Sequence, residues 1–336
     1  MNTAVARALV ACIFVLVAFN AAQAADPIAG PYVRIEGALG DGNGGTGVSN
    51  WIASDSLLSP WSRGDTKVSD LKRGSIEAGW TFAGQDGWSY RIAVAASGLE
   101  GRYSNSQAVV GAAVIEPLTN TLYYGQIKKC DVTPCTYQSS ASRHYWEVMP
   151  ELAVEWQQSD HLRFEVGLQP FYGRTNLGSH AQTTGFTSFV DSSVSAHSYG
   201  ALVKFEPKYL LSNGMMLALD LGAGPYMLTA HSLTMGSDPT RPGASDEDRL
   251  VGFRGRLGFG VDMPVSRALS AGLVARADYW SARTNVVGAG EPAPTCKSGG
   301  ALIVCHASAA GNFDLGSSAQ TDFFFGIRLT FRPFGL

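Results

Sequence analysis

The chain has 336 residues, of which 45% are hydrophobic and 16% charged, and it contains 39 glycines. An average soluble domain carries about 25% charged residues and about 7% glycine. The 25 Lys and Arg residues nearly balance the 28 Asp and Glu residues, for a net charge of -3. This composition excludes intrinsic disorder, which needs few apolar residues and a large net charge, and it offers no basic surface for nucleic acid.

The N-terminus has the organisation of a secretory signal peptide. A short segment with one positive charge precedes an unbroken apolar run from Ala8 to Phe19, and Ala22-Gln23-Ala24 supplies small residues for cleavage. The run of about 12 residues is shorter than the roughly 20 that a helix needs to cross a bilayer. We therefore expect a cleaved signal peptide over 1–24, an exported protein, and a single domain over 25–336.

Four cysteines remain after removal of the signal peptide. They form two local pairs, Cys130 with Cys135 and Cys296 with Cys305. An even number of cysteines in an exported chain indicates disulfides. Neither spacing matches a usual zinc-ligand pattern, so we favour two local disulfides over a metal site, and we expect no cofactor.

Apolar and polar residues alternate with a period of two through most of the mature chain. Between positions 146 and 156 the even residues are Trp, Val, Pro, Leu, Val and Trp, whereas the odd residues are Glu, Met, Glu, Ala and Glu. This period predicts strands with one apolar and one charged face. Ten such segments are predicted, over 31–40, 73–84, 87–99, 143–157, 160–173, 194–209, 213–230, 249–264, 267–283 and 320–334.

Short and long connections alternate between these segments. The long ones are 40–72, 100–143, 174–193, 231–248 and 284–319. Amphipathic strands cross hydrocarbon only as a closed barrel, because an open sheet edge would leave backbone groups without hydrogen bonds. We therefore expect an all-β, closed antiparallel transmembrane β-barrel of about ten strands, with short periplasmic turns and long extracellular loops. A hairpin over 108–127 would raise the count to twelve, and we favour placing it outside the wall, as an extracellular or lumen-covering hairpin.

The signal peptide, the amphipathic hairpins and the last strand together resemble the Gram-negative outer-membrane β-barrel class. One face of that last strand is wholly apolar, with Phe323, Phe325, Ile327, Leu329 and Phe331. The resemblance covers nearly the whole mature chain and implies a location in the outer membrane. It also implies contact with membrane lipid and lipopolysaccharide, and insertion by the barrel-assembly machinery.

The charged faces of the strands predict a polar barrel interior. About eight strands leave room only for side chains, whereas sixteen or more leave an aqueous channel, so a ten-stranded barrel is narrow. We expect opposite charges to pair across this space and fill it; the alternative is a narrow, charge-lined, porin-like pore for small solutes. The residues expected in this lumenal network are Arg34, Glu36, Glu77, Arg91, Glu147, Glu151, Glu155, Arg163, Glu165, Lys204, Glu206, Asp220, Arg254, Arg256, Asp262, Arg276, Asp278 and Arg328.

No complete catalytic site is visible in the sequence. Ser195 and His197 share a strand face and faintly resemble the Ser/His pair of lipid-modifying barrel enzymes, but no carboxylate is identifiable as the third member. A ten-stranded barrel also resembles omptin-type surface proteases, which implies an Asp pair facing an Asp/His pair. Residues 246–248 are Asp, Glu and Asp, with no His two residues from either Asp. We expect a non-enzymatic surface protein with a structural or loop-mediated binding role toward an unidentified ligand.

Overall fold

The computed structural model describes residues 29–42, 69–109, 113–117, 124–129, 135–183, 189–236, 244–288, 295–299, 302–306 and 313–333. The predicted signal peptide over 1–24 and Cys130 lie outside these ranges. Within them, no helix is long and apolar enough to span a bilayer.

Ten of the described strands form one closed antiparallel barrel. In chain order they are β1 (Gly30–Gly42), β2 (Ser69–Ala83), β3 (Trp88–Val109), β6 (Cys135–Gln157), β7 (Leu162–Thr183), β8 (Phe189–Leu210), β9 (Met216–Gly236), β10 (Ala244–Pro264), β11 (Leu269–Gly288) and β14 (Phe313–Phe331). Their order around the wall is β1-β14-β11-β10-β9-β8-β7-β6-β3-β2. Because β1 pairs with both β14 and β2, the sheet closes on itself. The expected all-β closed barrel of ten strands is confirmed.

Four short strands form a second sheet that is not part of the wall. They are β4 (Ala113–Pro117), β5 (Tyr124–Lys129), β12 (Thr295–Gly299) and β13 (Leu302–His306), in the order β12-β13-β5-β4. The hairpin expected over 108–127 therefore corresponds to β4 and β5, and the twelve-stranded alternative is wrong. Pairing of β5 with β13 joins two segments that are far apart in the chain.

Several wall strands are longer than the sequence pattern predicts. β3 continues to Val109, β6 begins at Cys135, β9 continues to Gly236 and β10 begins at Ala244. The prediction that these stretches are loops was wrong. A strand needs alternating apolar residues only where one of its faces meets hydrocarbon. Where a strand continues beyond the hydrocarbon, it keeps its hydrogen bonds to neighbouring strands but no longer shows the alternation in its sequence.

One end of the barrel carries four short connections, 84–87, 158–161, 211–215 and 265–268. We call it the turn end and the opposite end the loop end. Two of the turns contain a glycine with positive φ, Gly87 at 78° and Gly214 at 83°, a conformation that glycine adopts without a Cβ clash.

The outer face carries an apolar band bounded by aromatic side chains. Near the turn end Trp156 stacks on Phe164, with ring centroids 5.3 Å apart, and near the loop end Trp146 packs edge-on against Tyr172 at 5.6 Å. Trp146 and Trp156 are ten residues apart on β6, about 33 Å along a strand. With a strand tilt of about 40°, that length spans a height of about 25 Å, which matches the apolar band of outer-membrane barrels.

Candidate functional site

The predicted lumenal residues alternate with exposed residues along their strands and are themselves buried or half-buried. They therefore face the barrel interior, where they meet one another. All of them except Glu36 take part in an ion pair between described residues. Glu36 lines an internal cavity instead. Most of the pairs fall into three clusters.

The cluster nearest the turn end is centred on Glu165 of β7. Its two carboxylate oxygens accept hydrogen bonds from Lys204 at 2.9 Å and from Lys208 at 2.6 Å. Arg91 of β3 also contacts Glu165 and donates to Glu151 of β6. These five charges link four strands, and each residue is at most 9% exposed.

The middle cluster links β10 to β9, to β7 and to β14. Arg256 Nε lies 3.0 Å from Asp220 Oδ2, and its Nη2 donates to Gln169. Arg328 Nε donates to Asp262 Oδ1 at 3.0 Å. An internal cavity of about 80 Å³ lies beside these groups. The cavity is lined by residues of all three clusters and is large enough to hold several ordered waters among their charges.

The third cluster contains Glu147 and Asp278. Arg254 donates to both oxygens of Glu147, at 2.7 and 3.2 Å, and Tyr145 Oη donates to the same carboxylate at 2.8 Å. Asp278 accepts hydrogen bonds from Arg73 at 2.9 Å and from Arg276 at 2.9 and 3.0 Å. Buried carboxylates of this kind are tolerated only when cations and donors surround them.

A layer of aromatic rings fills the barrel on the loop side of this cluster. We call it the aromatic layer, and it consists of Tyr145, Phe171, Tyr226 and Trp280. The Trp280 ring meets the other three edge-on, at centroid distances of 6.0, 6.0 and 5.0 Å. Trp280 and Tyr226 are each 2% exposed.

Two arginines pack on the aromatic layer. The Arg254 and Arg283 guanidinium carbons each lie 4.3 Å from the Trp280 ring centroid, a geometry that favours cation–π attraction. Inward glycines make room for the rings. A Cβ at Gly252 would lie 2.5 Å from Cζ of Tyr226, and one at Gly173 would lie 2.6 Å from the Tyr145 hydroxyl.

Sequence reasoning missed three lumenal arginines, Arg73, Arg143 and Arg283. Arg143 forms a two-bond pair with Asp322, at 2.7 and 3.0 Å. Arg73 and Arg143 are the first residues of two predicted segments. Each lies four residues before a predicted lumenal glutamate, Glu77 or Glu147, and so on the same strand face, which is how the sequence could have identified them. Arg283 has the opposite parity to Asp278, because a β-bulge shifts the register between Trp280 and Arg283.

The residues considered for catalysis are not brought together in the predicted combinations. His197 Nδ1 lies 2.7 Å from the hydroxyl of Tyr172 rather than against Ser195. Asp248 Oδ1 accepts a hydrogen bond from the backbone N–H of Arg249 at 2.7 Å. His231 Nδ1, in contrast, lies 3.9 Å from Glu247 Oε2.

Two of the four candidate disulfide cysteines lie in the second sheet. Cys296 of β12 and Cys305 of β13 are direct register partners in an antiparallel hairpin. Cys135 begins β6, and its predicted partner Cys130 is outside the described residues. Both disulfides remain predictions.

Comparison with known proteins gives remote structural matches. No protein-family model and no curated sequence matches the chain. The outer membrane protease OmpT from Escherichia coli aligns with a TM-score of 0.45 and 9% identity, over 90% of this chain and 96% of that one. The translocator domain of the autotransporter NalP from Neisseria meningitidis aligns with a TM-score of 0.38 and 10% identity, over 97% and 94%. The TodX deltaS2S3 mutant monoaromatic hydrocarbon channel aligns with a TM-score of 0.36 and 8% identity, over 91% of each chain.

The fold class follows from the chain's own geometry. Ten antiparallel strands close into a barrel, its outer face exposes an apolar band between aromatic residues, and its inner face buries charges. This is the architecture of the outer-membrane β-barrel class.

Proposed function

We propose that the chain is a bacterial outer-membrane protein whose barrel is a closed scaffold and whose function resides on its outer surface and loop end. The observation that carries the proposal is the burial of paired charges and aromatic rings inside the barrel. Paired charges occupy the interior from the turn end upward, and the aromatic layer packs across it with its largest side chain only 2% exposed. Such an interior supports a structural role for the network better than a transport role.

The alternative role, a narrow small-solute pore, would need a continuous water path. The internal cavity of about 80 Å³, which is bounded by ion pairs, supports this alternative. To conduct, however, the barrel would have to move Trp280 and break pairs such as Arg254–Glu147, which are nearly inaccessible to solvent. Separating a buried ion pair leaves uncompensated charge at high cost, so this alternative has weaker support.

The loop end offers a large surface for contacts. β6 continues eleven residues from Trp146 back to Cys135, about 36 Å along the strand. With the turn end in the periplasm, this wall would extend well beyond the outer leaflet, as long extracellular portions of such barrels do. A loop-mediated binding role toward an extracellular ligand fits this placement, and the apolar band would contact membrane lipid and lipopolysaccharide.

Orientation and location can be tested with paired peptide tags. A tag between Thr183 and Phe189, at the loop end, is expected to be accessible to antibody on intact cells, in a chain that fractionates with the outer membrane. A matched tag in the turn 211–215 is expected to be accessible only after permeabilisation. Recovery of the chain in another fraction, or the reverse pattern of accessibility, would contradict the proposal.

A further inference from the structure

The backbone pairing between β10 and β11 stops before either strand ends. Its last register pair toward the loop end is Arg254 with Trp280. Beyond this pair β10 extends back to Ala244 and stays paired with β9 alone, while β11 extends to Gly288 and stays paired with β14 alone, as far as the described residues show. The wall therefore divides between these two strands at the loop end. We call this gap the notch.

Side chains replace the missing backbone hydrogen bonds at the base of the notch. The N–H of Phe253 on β10 donates to Ser281 Oγ on β11 at 2.7 Å. Tyr226 Oη of β9 accepts from the N–H of Ala282 at 3.1 Å and donates to the carbonyl of the same residue. A Cβ at Gly252 of β10 would lie 2.5 Å from this hydroxyl, so glycine lets Tyr226 reach across β10. Because these backbone groups have partners, the notch is a defined part of the wall and not a frayed strand end.

Arg283 lies on β11 beside the notch, with its side chain turned into the barrel. The β-bulge between Trp280 and Arg283 sets this direction, and Arg283 is 6% exposed. Its guanidinium carbon lies 4.3 Å from the Trp280 ring centroid and 5.2 Å from that of Tyr145. Its Nη1 is buried without a hydrogen-bond partner, and the ion pairs between described residues include none of Arg283. Buried donors without acceptors are rare in folded proteins, and a bound anion is one way to satisfy them.

The carboxylate that attracts Arg283 is already engaged. Asp322 attracts the Arg283 charge, whereas Arg143 and Arg254 repel it. Asp322 accepts two hydrogen bonds from Arg143, at 2.7 and 3.0 Å, and one from Gln320 at 2.7 Å. Arginine stays protonated in proteins, so it cannot relieve an unpaired buried charge by losing a proton. A bound anion would balance this charge, which is costly to bury without a counter-ion.

The surroundings of Arg283 favour an organic carboxylate over an inorganic anion. A guanidinium that packs against aromatic rings still presents its N–H edges to a carboxylate in its own plane. Leu250, on the inner side of β10 at the notch, is half-buried, so the interior is open to solvent here. Leu250 and the rings of Trp280 and Tyr145 can contact the apolar part of an organic acid, whereas they offer nothing to a phosphate ion.

We propose that Arg283 anchors a binding site for a small organic carboxylate, which enters the loop side of the aromatic layer through the notch. Nη1 of Arg283 donates to the carboxylate, and Trp280, Tyr145 and Leu250 contact the apolar body of the ligand. The site assigns a ligand class to the loop-end binding role, and it rests on that proposed role.

Binding is measured by fluorine NMR with p-fluorobenzoate as the probe, on the purified full chain in uncharged detergent micelles. A saturable change in the fluorine signal is expected for the wild type. Arg283→Gln is expected to weaken binding by about 10-fold or more, because a hydrogen bond to a charged group is lost. Arg174→Gln removes an exposed arginine on the outer face of β7 and is expected to bind as the wild type does. Absence of saturable binding to the wild type, or equal binding to Arg283→Gln, would overturn the site.

Two further probes separate the ligand classes. p-Fluorobenzyl alcohol carries the same ring without the charge, and inorganic phosphate competes as an oxyanion without an apolar part. At concentrations that saturate the site with p-fluorobenzoate, the alcohol is expected not to bind and phosphate not to displace the carboxylate. Equal binding of the alcohol would overturn the role of the charge, and displacement by an equal concentration of phosphate would overturn the carboxylate class.

Cysteine protection locates the bound ligand. Leu250→Cys places a thiol on the inner side of β10 at the notch, and Val251→Cys places one on the outer face one residue away. Relative to the wild type, saturating p-fluorobenzoate is expected to slow alkylation of the Leu250→Cys variant by a small thiol reagent and to leave the Val251→Cys variant unchanged. Equal alkylation of the Leu250→Cys variant with and without the ligand would contradict entry through the notch.

The stability of the ligand-free barrel separates a binding role of Arg283 from a structural one. In urea unfolding from lipid vesicles, Arg283→Met removes an unpaired buried charge, so the free energy of unfolding is expected to stay equal or to rise. Arg143→Met is expected to lower it, because Asp322 loses its buried partner. An equal loss in both variants would make Arg283 a structural residue and overturn the site. The closed scaffold and its orientation are tested by conductance and by the peptide tags, which none of these results affects.

Discussion

Arg254 and Glu147 form a two-bond ion pair across the barrel interior, at 2.7 and 3.2 Å. Arg254 lies on β10 and Glu147 on β6, and β7, β8 and β9 separate these strands around the wall. Both side chains are 1% exposed. The pair thus braces two distant parts of the wall, and the Trp280 ring packs on its cationic partner.

Neutralising Glu147 should therefore destabilise the barrel strongly. Glu147→Gln keeps the side-chain shape but leaves Arg254 without its nearest buried anion, a change that typically costs about 3–5 kcal/mol. Unfolding by urea in lipid vesicles, followed by tryptophan fluorescence, measures the free energy of unfolding. The matched control is Glu100→Gln, since Glu100 pairs with Arg102 at the surface, with side chains 42% and 78% exposed, and such a pair contributes about 0–1 kcal/mol. Equal shifts for the two variants would contradict a structural role for the network.

Adding a methyl group at Gly252 should disrupt the aromatic layer. A Cβ there would lie 2.5 Å from the Tyr226 ring, so the ring must move, and overpacking of this kind costs about 1–3 kcal/mol. Gly74→Ala serves as the control, because its Cβ would meet nothing within 4 Å. The same unfolding assay should show a lower stability for Gly252→Ala only, and an unchanged stability would mean that the layer is loosely packed.

Cys296 and Cys305 should be linked in the exported protein. Register partners in an antiparallel hairpin bring Cα atoms to about 4.5–5.5 Å, within the range that disulfides span. Peptide mapping without reduction should recover one linked pair here and a second between Cys130 and Cys135. Reduction should leave the barrel folded, since β12 and β13 are not wall strands. Free thiols that alkylate fully in unreduced protein would refute the pairing.

The wall strands could be predicted from the sequence, whereas some of the lumenal side chains could not. A period of two marks strands that face lipid on one side, which is why the ten wall strands and the lumenal parity of residues such as Glu165 and Arg256 could be predicted. A β-bulge changes which alternate residues of a strand face inward, and no residue pattern marks its position in the sequence. Arg283, which follows such a bulge, was therefore missed.

The approach of His231 to Glu247 could not be predicted from the sequence for a different reason. The 231–248 stretch was predicted as a loop because its polar residues carry no apolar alternation, which separated Glu247 from His231. Register between strands is set by pairing along the whole ladder, and only that ladder places His231 beside Glu247.

Conductance in a planar lipid bilayer shows whether the lumen is closed. The wild-type chain should insert without current steps above the baseline of the bare bilayer, because paired charges and the aromatic layer both occupy the lumen. Insertion is verified independently by heat-modifiable migration of the protein recovered from vesicles. Regular, reproducible current steps from the wild-type protein, altered in size by Glu151→Gln or Arg256→Ala, would contradict the closed scaffold and establish a charge-lined pore.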